Sequence, residues 1–139
     1  MILGLGLDLV EVAALEASIR RQGRALLERV YAPEELAELG LGEGAGDAVP
    51  DRVQLERLAA RFAAKEAAFK ALGTGWAQGV GWRDVRVLGS PSGRPRLVLS
   101  GAAAERAREL GAEAVLVSLT HAGGWAAAAV VIDGPAPPA

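Results

Sequence analysis

Residues 51–75 of the chain read DRVQLERLAARFAAKEAAFKALGTG. Asp51 and Gln54 are three residues apart, a capping-box spacing that predicts the start of a helix directly after Pro50. Gly73 predicts its end, because glycine readily adopts the left-handed conformation that follows a last turn. Apolar residues recur at helical spacing, and alanines cover most of the remaining circumference. We therefore expect a long central helix that is packed on several sides.

Three charged residues interrupt the apolar surface of this helix. Glu66 and Lys70 share a face at the edge of the apolar stripe, whereas Lys65 falls inside the stripe, where its stem is expected to snorkel toward solvent. A Glu–Lys pair at this spacing is commonly only a surface ion pair, worth about 0.3–0.5 kcal/mol. However, of the 15 basic residues only Lys65 and Lys70 are lysines. A compact ammonium suits a phosphate or a proton transfer, so a functional site is the alternative interpretation.

Length and composition exclude several classes of protein. The 139 residues suit one domain, and 51% hydrophobic with 23% charged residues is typical of a globular protein. A net charge of -2 shows no basic excess, so we expect no nucleic-acid binding. The absence of Cys excludes a disulfide scaffold and is compatible with the cytoplasm. The chain start lacks the basic region of a signal peptide, and no run approaches the roughly 20 apolar residues of a membrane span.

The first residues of the chain predict a strand with two different faces. Residues 2–10 alternate, so that one face carries Leu3, Leu5, Leu7 and Leu9. The other face carries Gly4, Gly6 and Asp8. We expect the leucine face to lie in a core and the glycine face to let the central helix approach closely. Asp8 would then point into the same seam, although an Asp at the end of a strand is often only the cap of the next helix.

The remaining sequence alternates short helices and strands. The patterns predict a helix over 11–31 with a weak point at Gly23, a short helix opened by Pro33, a mobile Gly-rich loop over 40–50, strands at 84–88 and 96–100, a helix at 102–110, and a last hairpin of 114–119 and 125–132. His121 falls at the turn of that hairpin. We predict an α+β fold in which one compact domain, residues 1–133, packs an antiparallel sheet on the Ala-rich central helix, followed by a disordered tail over 134–139.

Arg20, Arg21 and Arg24 form a basic cluster in the predicted first helix. Such a cluster is usually solvated surface, and the alternative is a docking patch for an acidic partner.

Asp8 and Glu66 would be two carboxylates in a partly dry seam, which is unfavourable unless a cation lies between them. Mg²⁺ suits such a pair, because it uses one or two protein carboxylates, keeps waters and completes its shell with substrate phosphate. Lys70, one turn beyond Glu66, would face the same phosphates. These groups suit phosphoryl-type chemistry, in which positioning and charge neutralisation dominate. The chain has no P-loop, and its Gly4-Leu5-Gly6 segment lies inside a strand and is not a phosphate cradle.

Four segments of the chain resemble one known family, the holo-[acyl-carrier-protein] synthases, which are the short class of 4′-phosphopantetheinyl transferases. The segments are GLGLDLVE at 4–11, RFAAKEAAFKALGTG at 61–75, SGRP at 92–95 and SLTH at 118–121. The resemblance implies Mg²⁺-dependent transfer of the 4′-phosphopantetheine group of coenzyme A to a serine of apo acyl carrier protein, with release of adenosine 3′,5′-bisphosphate, in fatty acid biosynthesis. It also implies a cytoplasmic homotrimer with active sites between neighbouring subunits.

The same resemblance implies roles for individual residues. Asp8 and Glu66 match the metal ligands, and Glu66 is also expected to take the proton of the carrier serine, either directly or through a metal-bound water. Lys70 neutralises or protonates the leaving phosphate, and His121 holds the phosphate end of coenzyme A. Further coenzyme A contacts are expected at Gly73, Gly75, Gly93, Arg94 and Pro95.

The chain departs from the family pattern in its first helix. The positions after Asp8 that usually carry basic residues are Ala13 and Ala14 here. Carrier docking therefore rests on Arg20, Arg21 and Arg24, or it is weaker than usual. This departure favours an alternative, a non-catalytic module that binds carrier protein or coenzyme A, whereas the intact set of charged residues favours the enzyme. A third hypothesis is an unrelated structural α+β protein in which Glu66 and Lys70 are only a surface pair. The placement of the only two lysines on one helix argues against it.

Overall fold

A computed structural model describes residues 1–74 and 79–136 of the chain. Within these residues the helices are α1 (Val12–Gln22), α2 (Arg24–Val30), α3 (Pro33–Glu38), α4 (Arg52–Leu72) and α5 (Gly101–Leu110). The strands are β1 (Ile2–Glu11), β2 (Val85–Leu88), β3 (Arg96–Leu99), β4 (Ala114–Ala122) and β5 (Trp125–Asp133). β1, β5 and β4 form an antiparallel sheet in that order, and β2 pairs with β3 in a separate hairpin. The predicted α+β class is confirmed.

The central helix α4 begins and ends where the sequence predicts. The Asp51 carboxylate accepts a hydrogen bond from the Gln54 amide at 2.8 Å, and the Gln54 side chain accepts one from the Asp51 amide at 2.8 Å. Gly73 ends the helix with a φ of 71°. Both ends therefore result from local side-chain and backbone chemistry.

Gly4 and Gly6 bring the backbone of β1 into direct contact with α4. A Cβ atom built on Gly4 would lie 2.2 Å from the Ala71 carbonyl oxygen, and one built on Gly6 would lie 1.8 Å from the Ala67 carbonyl oxygen. No side chain fits at either position. The predicted close approach of helix and strand is confirmed, and it positions the site described below.

Gly6→Ala is expected to destabilise the fold by at least about 2 kcal/mol, because the added methyl group must push α4 away from the sheet. Chemical denaturation of the variant measures this change. Gly44→Ala is the matched control, since a Cβ atom there would meet nothing within 4 Å. Equal stability of the two variants would contradict the close contact.

Most of the leucine face of β1 is exposed, and the prediction that it lies in a core is wrong in the single chain for every leucine except Leu3, which is partly buried against the core. Leu5, Leu7 and Leu9 are 67%, 66% and 60% exposed. The reason is that α4 covers only the glycine face of the sheet. Across the sheet Leu7 lies opposite Ala129, and Ala129 lies opposite Ser118, so the outer surface continues over β5 and β4 without a covering helix. We call this surface the outer sheet face.

β4 extends further than the sequence predicts. His121 pairs with Ala126 inside the hairpin, so it lies in a strand and not in a turn. The turn itself is limited to Gly123 and Gly124, whose φ values of 59° and 85° allow two strands to pair up to a two-residue loop. At the other end of β5 the Gly134 amide donates to the Met1 carbonyl. Of the tail predicted to be disordered, residues 137–139 lie outside the described part of the chain.

Lys65 does not reach solvent, so the snorkelling interpretation is wrong. Its side chain is fully buried, and its Nζ lies 2.7 Å from Glu35 Oε1 on α3, whose side chain is also fully buried. The ammonium also donates to the carbonyls of Trp82 and Val85. Burial lowers the pKa of Lys65, and the Glu35 carboxylate counteracts that effect. This ion pair joins α3, α4 and the start of β2.

None of the helices within the described residues combines the length and the apolar character needed to cross a membrane.

Candidate active site

Asp8, Glu66 and Lys70 meet in one cleft between β1, α1 and α4. The cleft has a volume of about 620 Å³ and is also lined by Phe62 and Ser18. Asp8 lies on the same face of β1 as the two glycines that contact α4, so the close packing of strand and helix places its carboxylate beside that helix. The sequence prediction that these three charged residues share a seam is therefore confirmed by their placement.

Lys70 connects the helix to the strand at this cleft. Its Nζ donates to Asp8 Oδ1 at 3.0 Å and to the Leu7 carbonyl at 2.9 Å. An ammonium has three N–H donors, and contacts with the described residues use two of them. Because the Lys70 side chain is 54% exposed, the third donor is available to a ligand in the cleft.

The surroundings of Glu66 in the cleft raise the pKa of its carboxyl group. Burial raises the pKa of its carboxyl, the negative charge of Asp8 raises it further, and Lys70 partly offsets both effects. A carboxylate that is held near another carboxylate and raised in pKa is poised to accept a proton or to bind a cation. Both kinds of chemistry agree with the roles that the family resemblance implies.

The donor set of the cleft fits Mg²⁺. Within the described residues no group of three or more His, Cys, Asp or Glu side chains could hold a metal ion. Mg²⁺ needs no such group, because one or two carboxylates, waters and substrate phosphate complete its shell. Asp8 and Glu66 supply those two carboxylates, and their mutual repulsion is the feature that a divalent cation would relieve.

His121 lies outside this cleft in the single chain. Asp8 and His121 both lie on the inner face of the sheet, but on its two outer strands, β1 and β4. Strands are about 4.8 Å apart, so the two residues are at least about 10 Å apart across the sheet. His121 Nδ1 instead lies 2.9 Å from Glu56 Oε2 on α4. The expected catalytic residues thus form two separate groups within one chain.

The other residues expected to contact coenzyme A are also dispersed. Gly73 lies at the end of α4, one turn beyond Lys70. Arg94 and Pro95 line a second cleft of about 490 Å³ that runs along the apolar residues of β4. Gly93 is exposed in the adjoining turn, with a φ of 81°. Gly75 lies outside the described residues.

The three arginines of the basic cluster are not equivalent. Arg20 pairs with Glu16 at 3.0 Å, and Arg21 is exposed near Ser18 at 3.3 Å. Arg24 is only 17% exposed and donates to Glu28 and to the Leu41 carbonyl, so it holds the Gly-rich loop. Because Ser18 lines the Asp8 cleft, its contact with Arg21 places this arginine beside the cleft.

Sequence reasoning missed the partners of two functional candidates. Glu35 pairs with Lys65, and Glu56 pairs with His121. Neither glutamate carries a sequence signal for these contacts, since both partners are distant in the chain. The burial of Lys65 did have a signal, namely its position inside the apolar stripe.

Residues 4–130 match the 4′-phosphopantetheinyl transferase superfamily, so the chain is a member of that class of protein. The chain is 49% identical over 140 residues to the holo-[acyl-carrier-protein] synthase of Anaeromyxobacter dehalogenans strain 2CP-1, covering 99% of this chain and 100% of the relative. The chain belongs to the holo-[acyl-carrier-protein] synthase family.

Solved structures support the same assignment. The holo-[acyl-carrier-protein] synthase of Neisseria meningitidis superimposes with a TM-score of 0.80 at 30% identity, covering 96% of this chain and 99% of that one. The Helicobacter pylori synthase, solved in complex with coenzyme A, superimposes with a TM-score of 0.76 at 28% identity, covering 93% and 99%.

Proposed function

We propose that this protein transfers the 4′-phosphopantetheine group of coenzyme A to a serine of apo acyl carrier protein, giving holo acyl carrier protein and adenosine 3′,5′-bisphosphate. The observation that carries the proposal is the meeting of Asp8, Glu66 and Lys70 in one cleft. The relatives named holo-[acyl-carrier-protein] synthase and the coenzyme A complex of the Helicobacter pylori protein support it. We place the reaction in the cytoplasm and in fatty acid biosynthesis.

The side chains of the cleft suit the steps of this transfer. Glu66, with its raised pKa, accepts the proton of the carrier serine as the serine oxygen attacks the phosphorus that bears the pantetheine arm. The bond from that phosphorus to the bridging oxygen breaks, and the leaving phosphate departs with the adenosine product. Lys70 neutralises or protonates that phosphate with the donor that Asp8 and Leu7 leave free.

Asp8 and Glu66 are the residues that would hold Mg²⁺ in this cleft. The bound ion would offset the negative charge of the reacting phosphates. Lys70 contacts the Asp8 carboxylate at 3.0 Å and so restricts its orientation in the cleft.

A homotrimer with active sites between subunits explains two observations. First, His121 is remote from Asp8 within one chain, so a second subunit would have to supply it to complete the site. Second, the outer sheet face exposes Leu5, Leu7 and Leu9 side by side, and contiguous apolar surface of this kind often marks a protein–protein interface. Association through this face would bury the leucines and bring the separate groups of site residues together.

Leu7→Asp is expected to convert the assembly into monomers, because it places a charge in the centre of the outer sheet face. Sedimentation velocity measures the mass of the particle. Val53→Asp is the matched control, since Val53 is 64% exposed at the start of α4, outside that face. A wild-type protein that sediments as a monomer would overturn the trimer.

Carrier docking is proposed to depend on Arg20 and Arg21, whose side chains are exposed, more than on Arg24. Arg21→Glu is expected to raise KM for the carrier about tenfold and to leave KM for coenzyme A nearly unchanged, because a charge at a binding surface acts on its own partner. Steady-state kinetics with each substrate varied in turn measures both constants. Arg29→Glu on α2 is the control, and equal changes in both constants would contradict the docking surface.

Mass spectrometry tests the proposed function directly. Apo acyl carrier protein incubated with this protein, coenzyme A and Mg²⁺ is expected to gain one phosphopantetheine group, and chelation of the metal with EDTA is expected to prevent the gain. A carrier of unchanged mass after incubation with the well-folded protein would sink the proposal.

A further inference from the structure

Glu56 and His121 lie in contact outside the Asp8 cleft. His121 Nδ1 lies 2.9 Å from Glu56 Oε2, and the two side chains are 51% and 23% exposed. A pair this open to solvent contributes little to stability. The contact engages Nδ1, so Nε2 is the ring nitrogen that a ligand could engage.

We propose that Glu56 is a positioning residue that holds the His121 ring so that Nε2 faces the phosphate end of coenzyme A. This inference rests on the proposed function. The two ring nitrogens lie on opposite sides of an imidazole, so the partner of one nitrogen decides where the other is directed. With Nδ1 held 2.9 Å from the Glu56 carboxylate, Nε2 points away from that carboxylate.

The backbone at His121 is already fixed, but its ring is not. His121 pairs with Ala126 between two regular strands, which determines where its Cβ lies. A half-exposed ring can still rotate about its two side-chain torsions, and a ligand would have to halt that rotation. Glu56 restricts the ring before the ligand arrives, so less conformational entropy is lost on binding.

Arg52 offsets the repulsion that the Glu56 carboxylate would exert on a nearby phosphate. Arg52 Nε lies 3.5 Å from Glu56 Oε1, whereas His121 contacts Oε2. The two oxygens of Glu56 are thus divided between a cation and the imidazole. The arginine offsets the negative charge of Glu56, so the carboxylate can orient the ring without repelling an anionic ligand nearby.

A double-mutant cycle distinguishes positioning from a structural role. Glu56→Ala is expected to raise KM for coenzyme A about tenfold with kcat changed by less than about twofold, and Glu56→Gln, which keeps a hydrogen-bond acceptor, is expected to lie between it and wild type. The Glu56→Ala, His121→Ala double variant should be no worse than His121→Ala alone, because Glu56 acts only through the ring. Independent, multiplicative effects of the two substitutions would overturn the proposal.

Glu109→Gln is the matched control, since Glu109 is a 58% exposed glutamate that pairs with Arg106 on α5. It should leave KM for coenzyme A unchanged.

The ¹⁵N shifts of the His121 ring test the pairing without any turnover. In the neutral ring of the wild-type protein the proton should reside on Nδ1, and Glu56→Ala should move a substantial part of it to Nε2. Identical shifts in the two proteins would refute ring positioning even if transfer is normal. Failure of the wild-type protein to modify the carrier would instead refute the proposed function, while the shifts would still decide whether Glu56 orients the ring.

Discussion

Replacement of Glu66 by Gln is expected to lower kcat/KM for carrier modification by at least about 10³-fold, because the substitution removes both the proposed base and one of two proposed metal ligands. The amide has nearly the same shape as the carboxyl group, so the cleft keeps its form. Mass spectrometry of the carrier over time measures the rate. Activity of Glu66→Gln within tenfold of wild type would contradict the role of this residue.

The same variant is expected to be slightly more stable than the wild-type protein at neutral pH. Burial and Asp8 raise the pKa of Glu66 in the folded protein above its unfolded value. The stability that comes from proton binding is therefore fully present below the unfolded pKa and is lost as pH rises through the folded pKa. Glu66→Gln has no charge at this position and does not suffer this loss. The resulting gain in free energy of unfolding is less than about 1 kcal/mol, because solvent screens a side chain that is only partly buried.

Denaturation curves at neutral and acidic pH measure this difference, which should shrink as the pH falls through the raised folded pKa of Glu66 and be absent below the ordinary Glu pKa of about 4. An inactive variant that unfolds at higher denaturant than the wild-type protein cannot owe its inactivity to misfolding. Glu66→Gln that is less stable than wild type at neutral pH would contradict the electrostatic account of the cleft.

Lys65→Met is expected to destabilise the protein by about 3–5 kcal/mol, because it leaves the fully buried Glu35 carboxylate without its counter-charge. The carbonyls of Trp82 and Val85 lose a donor in the same step. Equilibrium denaturation measures the loss. Lys70→Met is the matched control, since the only other lysine of the chain lies on the same helix with a side chain that is 54% exposed.

A second substitution tests whether the destabilisation of Lys65→Met comes from the unpaired charge of Glu35 or from lost packing. Glu35→Gln combined with Lys65→Met removes both charges and keeps an acceptor for the Ala32 amide, which Glu35 Oε1 binds at 2.9 Å. The double variant is therefore expected to be more stable than Lys65→Met alone. A double variant that is less stable than Lys65→Met would refute the uncompensated charge as the cause.

Local chemistry explains what could be predicted from the sequence. The ends of α4 depend on Asp51, Gln54 and Gly73, and each acts within one turn of itself. The glycine face of β1 predicts that another backbone approaches closely, because a strand residue without a side chain leaves space that only a neighbouring main chain is close enough to fill. The shared cleft of Asp8 and Glu66 then follows from the alternation of β1 and the period of α4.

Two of the three features that the sequence did not predict depend on contacts between parts of the protein that are distant in the chain or belong to another subunit. The leucine face of β1 has the same pattern whether a helix or another subunit covers it, so Leu7 could not be assigned to the surface of the chain. The partner of Lys65 is 30 residues away on a six-residue helix, and local patterns carry no information about that contact. The position of His121 depends instead on the tight turn at Gly123 and Gly124, which lets β4 continue to Ala122, beyond its predicted end at residue 119.

The contact of Gly4 and Gly6 with α4 has a consequence for how the enzyme could change over evolutionary time. The spacing between Asp8 and Glu66 is determined by two main chains in contact, and not by side chains that could be exchanged for slightly larger or smaller ones. A lineage could thus adjust the rim of the cleft freely, but it has no gradual route to a different carboxylate separation. The preference of the proposed metal site for one ion would be inherited with the backbone.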